Sequence, residues 1–193
     1  MEAALASLGE RKPRLLLHAC CAPCASWPLE ALSHRADITV FYYNPNIMPL
    51  EEYEKRLGEF DKLRRYPFRL VAEPWDNAAF LDAVRGREGD REGGARCSLC
   101  FRLRLGRTAE KAKAEGFDLF ATTLTVSPHK NAQVINAIGA ELGQRLGVSW
   151  LYSDFKKREG YKRSLELCRE LGIYRQNYCG CRLISAEEGG APA

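Results

Sequence analysis

No apolar run in this chain is long enough to cross a bilayer, which takes about 20 consecutive residues; the run Leu15-Leu16-Leu17 is typical of what it has. The opening stretch MEAALASLGERKPR carries acids early and lacks a basic start ahead of an apolar segment, so it does not read as a secretory signal. Nor is there a strong excess of one charge. Lys and Arg number 29 against 25 Asp and Glu, and the net +4 permits a polyanionic partner without demanding one. These absences predict a cytoplasmic protein with no membrane association. With 193 residues, 46% of them hydrophobic, the chain can build one sizeable core and is short for two, so one domain spanning 1–193 is expected, with loose termini at 1–13 and 186–193.

What is abundant is cysteine. A reducing compartment disfavours structural disulfides, so eight cysteines point to metal binding or redox catalysis. Seven fall into three tight groups: Cys20, Cys21 and Cys24; Cys97 and Cys100; Cys179 and Cys181. Cys168 stands alone in a helical pattern and reads as a small buried hydrophobe.

Along the chain, strand and helix patterns alternate. Residues 15–18 read as a buried strand, and SWPLEALSHR from Ser26 reads as a helix with Pro28 near its first turn. A second strand is predicted at 38–43, then an NPNIMP loop, one charged helix over 50–65 and a third strand at 68–72. WDNAAFLDAVRG suggests a short helix, and GREGDREGGAR a mobile loop that is either a lid or a plain solvated connection. The helix from Cys97 should end at Gly116, followed by a strand over 117–124, a TVSPHKN loop, a helix over 132–147, a short strand at 149–152 and a last helix reaching about Leu171. The tail from Ala186 reads as disordered. Such alternation implies right-handed crossovers and a parallel sheet, with the site at the strands' C-terminal edge. The first thiol group and TLTVSPHKN both lie on that edge, although the pattern does not yield the strand order.

Cys97 and Cys100, three apart at a helix start, share a face and can grip one metal or cluster. Cys20 and Cys21 are adjacent, which suits a bent loop presenting both sulfurs. If that loop meets that helix, four thiolates converge, as either a zinc site or an iron-sulfur cluster requires. Spacing alone leans to structural zinc. The surplus thiols, with Cys21 and Cys24 forming C-x-x-C, lean instead to a second metal or a redox dithiol. A thiol-disulfide oxidoreductase using Cys21 and Cys24, and a zinc-stabilised RNA-binding module, therefore stay open.

Six stretches in order, LLLHACCAPC, FYYNPNIMPLEEYEKR, RCSLCFRLRLGRTAEKA, TTLTVSPHKN, DFKKREGYKRS and IYRQNYCGC, resemble the epoxyqueuosine reductase QueH family from Leu15 to Cys181. The resemblance implies a cobalamin-independent oxidoreductase of tRNA queuosine biosynthesis. It would open the epoxide of epoxyqueuosine at the anticodon wobble position and release the oxygen as water. It also implies a 4Fe-4S cluster beside an additional mononuclear iron, and an external electron donor. The implied fold is an α/β, Rossmann-like parallel sheet similar to adenine-nucleotide α-hydrolases. Those relatives carry a Ser/Gly-rich pyrophosphate loop after strand one; HACCAPC occupies that place here, so ATP is not expected.

Carried onto this chain, Cys20, Cys21, Cys97 and Cys100 would hold the cluster, and Cys24, Cys179 and Cys181 the neighbouring iron or a redox pair. Cys24, Tyr178 and Asp154 are the catalytic candidates, with His129 and Lys130 as further proton sources. An anticodon loop offers phosphates and splayed bases, which call for cations and aromatic surfaces. Lys156, Lys157 and Arg175 are therefore expected at phosphates, with His129 and Lys130 beside them, while Asn44 and Asn46 would shape the base pocket. Arg102, Arg104 and Arg107 read as a further basic patch.

Overall fold

The computed structural model describes residues 11–181; the expectations for 1–10 and for the tail from Ala186 lie outside the described residues. Five parallel strands form one sheet in the order β3-β2-β1-β4-β5. In chain order they are β1 (Arg14–His18), β2 (Asp37–Tyr42), β3 (Arg69–Ala72), β4 (Leu119–Thr122) and β5 (Ser149–Trp150). The helices are α1 (Ala22–Leu32), α2 (Leu50–Gly58), α3 (Asn77–Ala83), α4 (Ala95–Ala114), α5 (Ala132–Leu146) and α6 (Gly160–Glu170). This is the parallel α/β sheet that the alternation predicted, in the Rossmann-like arrangement that the resemblance implied.

β1 is central and its apolar run is buried on both faces, as parallel strands require. Leu15 and Leu17 join one core with Leu29 of α1, Phe60 and Cys168, while Leu16 points to the other, with Leu105 of α4 and Ile135 and Leu142 of α5. Cys168 is thus the packed hydrophobe expected of it. Arg11 to Pro13 are tied down: Arg11 pairs with Asp118 at 2.6 Å and the Pro13 carbonyl accepts from Asp37 N.

Several boundaries moved. α1 starts directly after Cys21 rather than at Ser26, because Pro23 occupies its first turn, where a missing N–H costs nothing. Pro28 then lies inside the helix and supplies no N–H to the Cys24 carbonyl four residues earlier. The charged helix expected over 50–65 changes at Gly58 into a 3₁₀ segment, Glu59–Leu63, whose Phe60 and Leu63 are buried at the matching three-residue spacing. The fourth strand is shorter than predicted because the Thr122 hydroxyl accepts from Leu124 N at 3.2 Å and turns the chain into a 3₁₀ segment, Thr123–Val126. The fifth ends at Trp150, beyond which Asn136 of α5 captures both the N–H and the carbonyl of Ser153. Gly139 lets α5 sit on the Trp150 indole, since a Cβ there would collide with the ring.

Leaving β1, the chain goes to β2 on one side; β4 lies on the other. A parallel sheet of this kind opens a crevice between two such strands, at their carboxyl ends. Cys20 is the second residue past the end of β1.

Candidate metal centre

His18, the last residue of β1, holds the crevice floor together. Its Nδ1 faces Thr122 Oγ1 at 2.8 Å and its Nε2 faces the Tyr43 carbonyl at 3.1 Å. A carbonyl can only accept, so Nε2 carries the proton and the neutral ring accepts from the Thr122 hydroxyl. Burial, aided by the Arg104 charge, pushes the imidazole pKa down to about 3 and keeps it neutral. Asn44 is also fully buried, and its amide donates to the Ala19 carbonyl at 2.9 Å. That bond steers the backbone just ahead of Cys20.

Beyond this floor the chain bends as expected and brings the Cys20, Cys21 and Cys24 sulfurs within 4.8 Å of one another. Among the described residues they are the one set of three or more ligand-bearing side chains so closely spaced. Cys20 and Cys21 Sγ are 3.7 Å apart, at the N-terminus of α1, where the helix dipole favours thiolate. Hydrogen bonds from Cys21 and Cys24 pull the Cys20 thiol well below its usual range, and the same bonds push those two donors up.

Cys97 and Cys100 lie on the first turns of α4, and with Cys179 and Cys181 they line a small cavity of about 30 Å³. Cys179 and Cys181 Sγ are 3.7 Å apart. A hydrogen bond from Cys181, helped by the Lys130 charge, lowers Cys179 to about 5, whereas burial raises Cys100. Gly93 N donates to Cys97 Sγ at 3.2 Å, so GREGDREGGAR folds back on the α4 start; the Arg96 side chain reaches the Glu88 carbonyl to hold it there. The quartet of Cys20, Cys21, Cys97 and Cys100 is thus divided between two neighbouring walls. Cys179 links them, lining both this cavity and a wider crevice of about 220 Å³.

That crevice also exposes Cys20, Cys24, Asn46, His129, Lys130, Arg175 and Tyr178, which with Cys179 brings together half of the expected residues. Asp154, Lys156 and Lys157 lie outside it, in an adjoining groove where Asp154 pairs with Lys156 at 2.9 Å and Lys157 at 3.9 Å. Arg175 donates to the Tyr161 hydroxyl at 2.8 Å. The Tyr178 ring lies 5.4 Å from the Arg56 guanidinium, and its hydroxyl is 3.5 Å from that of Tyr174.

The supposed patch of Arg102, Arg104 and Arg107 is not one. At about 100° per residue these positions point in different directions: Arg102 pairs with Glu141, Arg107 with Glu73, and Arg104 is buried. Arg104 instead lines both cavities, and the charges of Cys100, Cys20 and Cys179 raise its pKa. Its place four residues after Cys100 and seven after Cys97 is the signal that could have found it. Arg56, buried with its Nε 2.7 Å from Glu52, and Gln176 were missed as well. Arg56 Nη2, Gln176 Oε1 and Asn46 Oδ1 make no hydrogen bond within the described chain. Among the described residues no helix is long and apolar enough to cross a membrane.

A family model described as Epoxyqueuosine reductase QueH matches residues 15–188. A relative of that name from Streptococcus pyogenes serotype M1 is 43% identical over 92% of this chain and 72% of its own length. Those from Thermotoga maritima (40%, covering 86% of this chain and 88% of its own) and Staphylococcus aureus (38%, covering 92% and 78%) are similar. A solved deacetylase-teicoplanin complex aligns over 82% of this chain and 86% of its own at 12% identity and a TM-score of 0.38, a likeness at which neither fold nor activity carries over. The thiol groups, their spacing and the relatives agree: the chain belongs to the epoxyqueuosine reductase QueH family.

Proposed function

We propose that this protein removes the epoxide oxygen of epoxyqueuosine in the anticodon loop of tRNA, leaving queuosine, in an iron-dependent, cobalamin-independent reduction. The observation that carries this reading is the gathering of six cysteines around two cavities joined at Cys179, with Cys21 behind Cys20 and Cys24, in a chain of this family. The three- and four-thiol groups form a soft donor set, suited to iron-sulfur chemistry. When bound, a 4Fe-4S cluster and a further iron would supply single electrons and a Lewis acid for the epoxide oxygen.

Cys20, Cys21, Cys97 and Cys100 are the proposed cluster ligands, and Cys24, Cys179 and Cys181 serve the second iron or a redox pair. A second division is favoured by one observation. Three sulfurs within 4.8 Å suit a single ion, around which Fe–S or Zn–S bonds of about 2.3 Å place sulfurs just under 4 Å apart. On that division Cys20, Cys21 and Cys24 take the lone iron and the other four take the cluster.

The chain's own groups have separate tasks. Arg104 is a buried cation and Lys130 a half-buried one, and their charge offsets the crowded thiolates. Asn46, Gln176 and Arg56 offer polar atoms without partners in the crevice wall, fit to orient a nucleobase. Removing an epoxide oxygen as water consumes two electrons and two protons. On the first division, with Cys179 and Cys181 as a redox pair, that dithiol closing to a disulfide releases the same number, and an external electron donor reopens it. The Tyr178 phenol, which lines the crevice, is the proposed proton donor to the departing oxygen.

The test is nucleoside analysis of epoxyqueuosine-containing tRNA incubated with anaerobically reconstituted protein and a reductant. Queuosine should form; none formed with an intact, dithionite-bleachable chromophore would defeat the proposal, and a colourless zinc protein would replace it with the RNA-binding module. Iron and sulfide analysis of Cys20→Ala separates the ligand divisions. Joint loss of iron and sulfide supports Cys20 as a cluster ligand, and loss of one iron with sulfide intact supports the single-ion set.

A further inference from the structure

Pro128, His129 and Lys130 form a ridge that walls the thiol crevice on one side and an open groove of about 530 Å³ on the other. Two aromatic side chains among the described residues are exposed, and the ridge separates them. Tyr178 stands in the crevice, 38% exposed, and Tyr152 stands in the groove, 58% exposed. The groove also holds Lys156, Lys157 and Asp154. Lys156 is drawn to Asp154 and to the Lys130 carbonyl, which leaves Lys157, 77% exposed and 3.9 Å from the same carboxylate, as the outward cation. Two lysines against one aspartate keep the groove positive.

A ring left open beside a cation, one ridge away from a second such ring, is the arrangement that single-stranded nucleic acid needs: bases stack on aromatic faces while lysines meet phosphates. We infer that the groove is a second nucleotide subsite, in which the base adjoining the one in the crevice stacks on Tyr152 while its phosphate meets Lys157. This inference rests on the tRNA reading above. An acidic electron-donor protein could use Lys157 but would not need a stacking ring, so the ring decides between the two.

The experiment measures binding of an anticodon stem-loop RNA to the reconstituted holoprotein by fluorescence anisotropy. Tyr152→Ala should weaken binding about 5- to 150-fold, the range of one lost base-aromatic stack, and Tyr152→Trp should restore it. Lys157→Ala should reduce the slope of log K against log salt by about 1. Equal affinity of wild type and Tyr152→Ala, or Trp and Ala variants that are equally weak while melting like wild type, would overturn the subsite. The underlying reading is judged separately: wild-type holoprotein that forms no queuosine defeats the function, whereas queuosine formed with RNA affinity indifferent to Tyr152 defeats only the subsite.

Discussion

Replacing Asn136 with leucine tests whether one side chain on α5 holds the end of the sheet and the segment behind it. The amide donates to the Ala132 and Ser153 carbonyls, both at 2.8 Å, and its oxygen accepts from Trp150 Nε1 at 2.9 Å and Ser153 N at 3.1 Å. The Ala132 carbonyl keeps its place in the helix ladder, and the Trp150 N–H, on a half-buried ring, can reach water. The Ser153 N–H and carbonyl are buried and have no such recourse. At about 1–3 kcal/mol for each buried polar group left unpaired, the loss is about 2–6 kcal/mol. Total stability for a domain of this kind is about 5–15 kcal/mol. Urea unfolding followed by circular dichroism measures the shift in midpoint, and a loss under about 1 kcal/mol would refute the accounting. Tyr152 and Asp154 flank Ser153, so RNA affinity should fall with stability in this variant.

Other perturbations probe different links. Glu30 is held below the ordinary carboxylate range chiefly by its hydrogen bonds from Arg163, so the stability it contributes is present above its unfolded pKa and lost as pH falls through the folded one. Glu30→Gln should therefore flatten the acid limb of a urea-midpoint profile; a wild-type advantage that stays constant down to low pH would contradict this. Gly180→Ala places a Cβ 2.9 Å from Ile47 Cγ1, which should displace the Cys179–Cys181 turn and lower the iron content expected of the proposed site, with little change in melting temperature; iron content equal to wild type would count against it. Arg104→Gln removes a buried positive charge beside the thiols, and the midpoint of the proposed cluster should fall by about 60 mV for each ~1.4 kcal/mol of attraction lost, readable in a dye-mediated titration. An unmoved potential would mean that Arg104 is there for packing.

The parallel sheet was legible because strand and helix periods alternate cleanly, and because Leu15 to Leu17 are apolar on both faces. The strand order was not, since pairing is decided by which faces fit after the crossovers form. The thiol groups were visible as spacings, yet their grouping in space was not: Cys97 and Cys179 are brought together by α4 and a C-terminal turn that no local pattern connects. Arg104 went unrecognised because a row of arginines reads as surface, and only the turn of the helix separates the buried one from its paired neighbours. Pro28 misled for a similar reason, since a proline suggests a helix start, and here a second proline at position 23 had already supplied it.

The thiol crevice is closed by the two ends of the described chain, with Cys20 near one and Cys181 near the other. At about 5–20 residues per second, translation leaves the first thiol group waiting roughly 10–30 s for Cys179 to be made. Over that interval Cys20, Cys21 and Cys24 emerge as reactive sulfurs without their partners, so the two cavities come together only after Cys179 and Cys181 have been made. Truncation that removes only the last cysteines should then leave a folded sheet carrying an unfinished site.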